Sequence, residues 1–244
     1  MLDPTRTIRE FAVEVPQATR LFEKLGIDYC CGGGKLLSEA CTEANLSLDD
    51  VLRSLSVTDS QNESGAVDWK RADLADLIDH IVTKHHGYVK QELPRLDRLM
   101  NKVAAKHGPN HPELLRMQEL FAALSTELTS HLMKEEQVLF PYVVQCERSL
   151  RESGRVHPPM FGTVRNPIHM MELEHDSAGD TLKEMRAISS GFTAPENGCF
   201  SFQTLYQGLR EFEADLHQHI HLENNILFPR AIEFETRVHE QTVT

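Results

Sequence analysis

From Trp69 onward, apolar residues return at steps of three and four, the spacing that gives a helix one oily stripe. Leu74, Ile78, Val82, His86, Val89, Leu93, Leu96 and Val103 trace the first stripe, with Pro94 expected to kink it. Gly108-Pro109 and His111-Pro112 make a turn. Leu124, Leu128, His131, Glu135, Val138 and Tyr142 then trace a second stripe, in a helix from about Glu113 to Glu147. Ser149 to Pro167, with two glycines and three prolines, reads as a long irregular connection. Ile168, Met171, His175, Ala178, Leu182 and Met185 mark a third helix that ends near Gly191. Leu205, Leu209, Phe212, Leu216, His219, Glu223 and Ile226 mark a fourth, about Phe202 to Phe234. No segment alternates in the manner of a strand.

Ahead of these stripes the pattern is shorter. Ile8, Phe11 and Val13 precede a short amphipathic helix carrying Ala18, Leu21, Phe22 and Leu25, which stops at Gly26. A second helical pair is expected around Ser38–Leu46 and Leu48–Leu55. Between them lies Tyr29-Cys30-Cys31-Gly32-Gly33-Gly34, read as a sharp loop in which glycine permits positive φ and leaves both thiols accessible. The division expected is a small helical unit over 1–56, a polar linker over 57–67, a four-helix up-down bundle over 68–236 and a tail over 237–244. The fold class is all-α. A unit under 60 residues buries only a modest core, so it should dock on something.

Two stretches of the bundle are near-copies. His131-Leu-Met-Lys-Glu135-Glu-Gln-Val-Leu-Phe-Pro141 and His219-Ile-His-Leu-Glu223-Asn-Asn-Ile-Leu-Phe-Pro229 align without a gap, 88 residues apart. Residues four apart share one helix face, so each imidazole points into the same space as its carboxylate. The repeat extends backwards: His86 lies 45 residues before His131, and His175 lies 44 before His219. Pro141 and Pro229 each follow their glutamate by six residues and predict a matched bend.

A single His/Glu pair on a helix is most often just a hydrogen-bonded pair. Four histidines and two glutamates on the oily stripes of four helices would instead leave a cluster of costly buried polar groups unless a cation bound them. Thiolates are absent from the cluster, which speaks against structural zinc and iron-sulfur ligation, and two facing carboxylates do not suit haem. Nitrogen and oxygen donors with bridging carboxylates suit a pair of iron or manganese ions, with positions left open. Repeat symmetry assigns His86 and His131 to one ion and His175 and His219 to the other, bridged by Glu135 and Glu223. His80, His85, His217 and His221 fall on other faces and read as surface or supporting residues. Glu174 and Asp176 flank His175 as candidates to orient it or as plain surface groups.

Charge and composition narrow the partners. A formal net charge of -12 without a long Lys/Arg run excludes a nucleic-acid backbone or an anionic membrane as the partner. No run approaches the roughly 20 apolar residues of a membrane span. Met1–Glu10 has neither a basic n-region nor an apolar h-region, which favours the cytoplasm. There the five cysteines read as free thiols, with Cys41, Cys146 and Cys199 structural.

The repeated histidines and glutamates in a four-helix bundle resemble the hemerythrin-like domain. Asp28-Tyr29-Cys30-Cys31-Gly32-Gly33 resembles the small domain that precedes it in the repair-of-iron-centres family, and Met133–Gln137, Glu174-His-Asp176 and Leu222–Asn225 match as well. The resemblance covers nearly the whole chain; the long Ser149–Pro167 connection and a third glycine, Gly34, depart from it. It implies a cytoplasmic protein with two non-haem irons, held by His86, His131, Glu135, His175, His219 and Glu223, that helps to restore iron-sulfur clusters damaged by nitric oxide or oxidants. An oxo or hydroxo bridge between the irons is left open, as is a homodimer. Cys30 and Cys31 would relay metal or nitric oxide. The implied role is repair by iron donation to damaged iron-sulfur proteins; the alternatives are nitric oxide reduction, or sensing of nitric oxide or dioxygen, at the same pair.

Overall fold

The computed structural model of the chain describes residues 3, 5–15, 17–59, 67–152, 159–196 and 198–243. Most of the expected linker, and Pro16, lie outside the described residues. The described part of the N-terminal unit contains α1 (Ile8–Glu14), α2 (Ala18–Leu25), α3 (Leu37–Glu43) and α4 (Leu48–Asp59). Helix α1 starts on a capping box: the Thr7 hydroxyl accepts from the Glu10 N–H while the Glu10 carboxylate accepts from the Thr7 N–H. Thr7-x-x-Glu10 was a sequence signal for this helix that periodicity alone passed over. Gly26 ends α2 in the left-handed region at φ 69°, as expected of a glycine after a helix. Phe11, Phe22, Leu37 and Leu55 close a small core of their own.

The described residues of the bundle form four antiparallel rods. The first is α5 (Leu74–His80), a π-helical segment Ile81–His86 and α6 (Gly87–His107). The second is α7 (Glu113–Lys134), a π segment Glu135–Leu139 and α8 (Phe140–Glu152). The third is an uninterrupted helix, α9 (Arg165–Ile188). The fourth is α10 (Phe200–Leu222), a π segment Glu223–Leu227 and α11 (Phe228–Val243), which continues through the residues expected to form a tail. Among the described residues the one β-type pairing is an isolated bridge between Thr7 and Leu36. None of their helices is long and apolar enough to cross a membrane.

The π segments account for several departures from the periodic reading. Pro141 and Pro229 lack the N–H for an i→i−4 bond, and each ring crowds the carbonyl four residues earlier. In both rods the disturbance takes the form of a π turn just ahead of the proline, widening the ladder where that carbonyl lies. One added residue per turn rotates the remainder of the rod. Val138, expected inside, is 48% exposed, and Leu139 fills the core at 1%. Pro94, by contrast, is carried inside α6, which runs unbroken from Gly87 to His107.

The irregular connection is shorter than expected. Helix α8 persists to Glu152, held by Arg148–Glu152 and by Arg151 paired with Asp73. Helix α9 starts at Arg165 because buried Glu235 from α11 accepts from the Val164 N–H at 2.8 Å and the Thr163 hydroxyl at 2.5 Å. Pro167 then sits in the first turn, where no helical N–H is lost.

The N-terminal unit docks on the third and fourth rods. Asn225, inside the last π segment, donates to the Tyr29 carbonyl at 2.9 Å and accepts from Arg9 Nε at 2.7 Å. Gln218 donates to the Tyr29 hydroxyl, and Lys183 on α9 reaches Asp28 at 3.0 Å. This corrects the picture of the cysteine loop. Cys30 is 4% exposed and packs with the bundle core; Cys31 is half-buried. The three glycines form a 3₁₀ turn with no positive φ. What they supply is space: a Cβ on Gly33 would lie 3.1 Å from Asn225 Oδ1 and 3.3 Å from Arg9 Cβ, whereas one on Gly34 would meet nothing within 4 Å. Gly33→Ala should therefore cost about 1 kcal/mol or more, in the range of overpacked sites, and Gly34→Ala should be near neutral. Urea denaturation of the two variants side by side checks this.

Asp28 holds the loop in shape. Its Oδ1 accepts from the N–H groups of Cys30, Cys31 and Gly32 at 3.2, 3.0 and 3.0 Å. Burial alone would push its carboxyl up; the Gly32 N–H and the Lys183 ammonium outweigh it and bring it down to about 2. A lowered carboxylate contributes stability above its ordinary value near 4 and loses it as pH falls towards 2. Asp28→Asn should thus cost about 2 kcal/mol at neutral pH, and its deficit against the parent should shrink between pH 4 and 2.

Candidate metal centre

The six residues singled out by the repeat converge at the middle of the bundle, each 2% exposed or less. His86 ends the first π segment, Glu135 begins the second and Glu223 begins the third, while His131, His175 and His219 sit on α7, α9 and α10. π turns often stand at functional sites, and here each of the three carries a cluster residue. Their donor atoms fall into two groups, each within 4.8 Å: His86, Glu135, His219 and Glu223 in one, His131, Glu135, His175 and Glu223 in the other.

The histidine pairing differs from the one repeat symmetry suggested. His86 Nε2 lies 3.1 Å from His219 Nε2, and His131 Nε2 lies 3.1 Å from His175 Nε2. Each pair joins the two halves instead of staying within one, because the first rod packs beside the fourth and the second beside the third. Both glutamates span the pairs. Glu223 places Oε1 3.0 Å from His219 and Oε2 3.1 Å from His175; Glu135 places Oε2 3.2 Å from His131 and 3.5 Å from His86.

Three of the four imidazoles are held from behind. His86 Nδ1 donates to Glu136 at 2.8 Å, and Lys90 grips the same carboxylate at 2.6 Å. His131 Nδ1 donates to Glu174 at 2.9 Å, itself paired with Lys134. His175 Nδ1 donates to Asn224 Oδ1 at 2.8 Å. Such partners fix the tautomer and aim Nε2 inward. Glu174 is thus an orienting carboxylate, while Asp176 is exposed. Glu136 and Asn224 escaped the sequence reading, although both directly follow the repeated glutamate; an α-helical wheel turns that position away from the site.

His85 is not a surface residue: it is 1% exposed, bonded to Asp215 at 3.0 Å and stacked on His219 at 5.8 Å with 11° between the rings. His80 is half-buried against Trp69, with ring centroids 4.5 Å apart. His217 pairs with Glu23 of the N-terminal unit, and His221 is buried against Asn225, pushed down to about 4 by burial and by Arg9. Cys41 and Cys146 are core thiols; Cys199 is half-buried with its sulfur 3.1 Å from His107 Nε2.

The donor set fits a pair of cations. Both oxygens of Glu135 and one of Glu223 are buried without a hydrogen-bond partner, a costly arrangement for a carboxylate. Two imidazole nitrogens 3.1 Å apart also cannot both present lone pairs unless a proton or cation lies between them. Protonation of one nitrogen in each pair would meet the same need. Burial disfavours charge on His86 and His131, but Glu135 and Glu223 outweigh it, raising His86 to about 10 and His131 to about 9. Burial wins at His219, which is lowered. Glu223 resists the same burial through His219 and His175 and stays well below the usual carboxylate range.

Asp28, Cys30 and Cys31 form a third group of ligand atoms within 4.8 Å. The Cys30 thiol is pushed well above its ordinary value by its hydrogen bond with Cys31, by burial and by the Asp28 carboxylate. That argues against a freely accessible nucleophile, since it is the thiolate that attacks.

Comparison with known proteins agrees with this architecture. Residues 77–231 match the hemerythrin HHE cation-binding domain, and residues 4–59 match the ScdA_N domain, a domain of unknown function. A Haemophilus influenzae protein named "Probable iron-sulfur cluster repair protein" is 38% identical over 92% of this chain and 96% of its own. The iron-sulfur cluster repair protein YtfE of Pectobacterium atrosepticum is 36% identical over 94% of this chain and 98% of its own. The YtfE protein of Yersinia pseudotuberculosis is 37% identical over the same shares.

Proposed function

The chain belongs to the hemerythrin HHE cation-binding family and to the iron-sulfur cluster repair proteins within it, and on that premise we propose that it repairs damaged clusters by supplying iron. The observation that carries this reading is the set of partnerless buried carboxylate oxygens facing four converging imidazoles, which suits two ferrous ions. His86 and His219 would hold one ion and His131 and His175 the other, with Glu135 and Glu223 bridging. Bound there, iron is cargo: six donors shared by two ions leave both under-coordinated and open to exchange.

The residues around it do the rest. Glu136, Glu174 and Asn224 aim three imidazoles, and the surrounding apolar core keeps water from the carboxylates. Asn225, two residues after Glu223, ties the cysteine loop to the same π segment, which supports a relay of iron to a client through the half-buried Cys31 thiol with buried Cys30 beside it. We place the protein in the cytoplasm, where its five cysteines stay reduced. Nitric oxide and dioxygen are the small ligands its open positions would take.

The test is incubation of iron-loaded protein with a nitric-oxide-damaged iron-sulfur hydratase. Activity should return faster than with the same amount of free ferrous iron; an equal rate contradicts donation. Catalytic nitrous oxide formation with no client present would move the reading to nitric oxide reduction.

A further inference from the structure

The outer nitrogens of the four imidazoles are not treated alike. His86, His131 and His175 each donate Nδ1–H to an acceptor. His219 Nδ1 is fully buried and has no partner among the described residues. The internal repeat explains why. Glu136 behind His86 corresponds to Asn224 behind His175, since each follows a bridging glutamate. Glu174, behind His131, precedes His175; the residue that precedes His86 in the other half is His85. Where symmetry calls for a carboxylate behind His219, the chain has an imidazole. His85 spends its Nδ1 on Asp215 and meets His219 only through its stacked ring.

The consequence for metal binding is direct. An acceptor on Nδ1–H fixes the ring and makes Nε2 a stronger donor, and its loss typically costs about 10- to 100-fold in metal affinity. The His131/His175 position has both rings held in this way. The His86/His219 position has one. His85, whose ring stacks on His219, also lines a crevice of about 600 Å3 between the N-terminal unit and the bundle, with Gln218 and His221 among its other walls. From this geometry we infer that the two ion positions are unequal: the His86/His219 position is the labile one, and its ion leaves first, because His85 stands where a carboxylate would steady His219.

The inference rests on the six-residue metal site proposed above, but its test needs no damaged client. The full-length protein is loaded anaerobically with two ferrous ions and mixed with excess of a coloured ferrous chelator. Release should occur in two phases of one ion each, with rates about tenfold or more apart. His85→Glu supplies the missing acceptor and should slow the fast phase towards the slow one. Glu174→Gln weakens the hold on His131 and should speed the slow phase while leaving the fast one unchanged. Release of both ions at one rate overturns the inference, as does a His85→Glu protein that binds two ions and keeps the fast phase. Glu174→Gln acting on the fast phase overturns the assignment in a variant that leaves His85 alone. Failure to bind two ions at all sinks the metal site itself; biphasic release without repair sinks only donation.

Discussion

Glu223→Ala should purify with neither ion in place, and its affinity for ferrous iron should fall by more than about 100-fold at both positions. Glu223 is fully buried and its two oxygens face different pairs, Oε1 towards His219 and Oε2 towards His175. One truncation therefore takes a ligand from each ion and half of the negative charge that balances them. Glu135→Ala should act in the same direction. His85→Ala, one residue from His86, should retain two ions, because His85 directs its Nδ1 to Asp215 and touches the cluster by stacking alone. Metal analysis of the three variants after identical anaerobic reconstitution distinguishes them. Equal losses in Glu223→Ala and His85→Ala would contradict the assignment of ligands.

Removing the metal should lower the thermal midpoint by roughly 10 to 20 °C. A ligand held at about 100 times its dissociation constant stabilises the fold by about 2.7 kcal/mol, and two such ions give about twice that. In a chain of this size each kcal/mol moves the midpoint by about 2 to 4 °C. The gap should also widen with pH. Protonated His86 and His131 stand in for the ions in the stripped protein. Because their values are raised, that contribution is complete below about 6.5 and is lost as pH rises through about 9 and about 10. Calorimetry of loaded and chelated protein at pH 7 and pH 9.5 measures both effects. A gap that is absent, or that narrows at high pH, would contradict the assignment of ions and protons to one place.

The convergence of the six side chains was legible because its information is local: a His and a Glu four apart declare a shared face, and a second copy declares a candidate site. Which imidazoles meet was not legible, since spacing along the chain does not say which rods are neighbours. His86 with His219 and His131 with His175 emerge only once the first rod lies beside the fourth. The same limit hid Glu136 and Asn224, which a regular helix would turn outward and a π turn brings round. Val138 and Leu139 exchanged places for that reason. The cysteine loop misled in another way: glycine was read as conformational freedom, whereas Gly33 is required by the closeness of Asn225 and Arg9. Contacts 190 or more residues apart, such as Asn225 with Tyr29, leave no periodic mark.

The most direct measurement is metal content together with Mössbauer spectroscopy on protein purified without oxygen. Two irons per chain are expected, ligated by nitrogen and oxygen and magnetically coupled. Zinc, haem, or less than one metal per chain after reconstitution would contradict this, and the repeated histidines and glutamates would then be buried ion pairs.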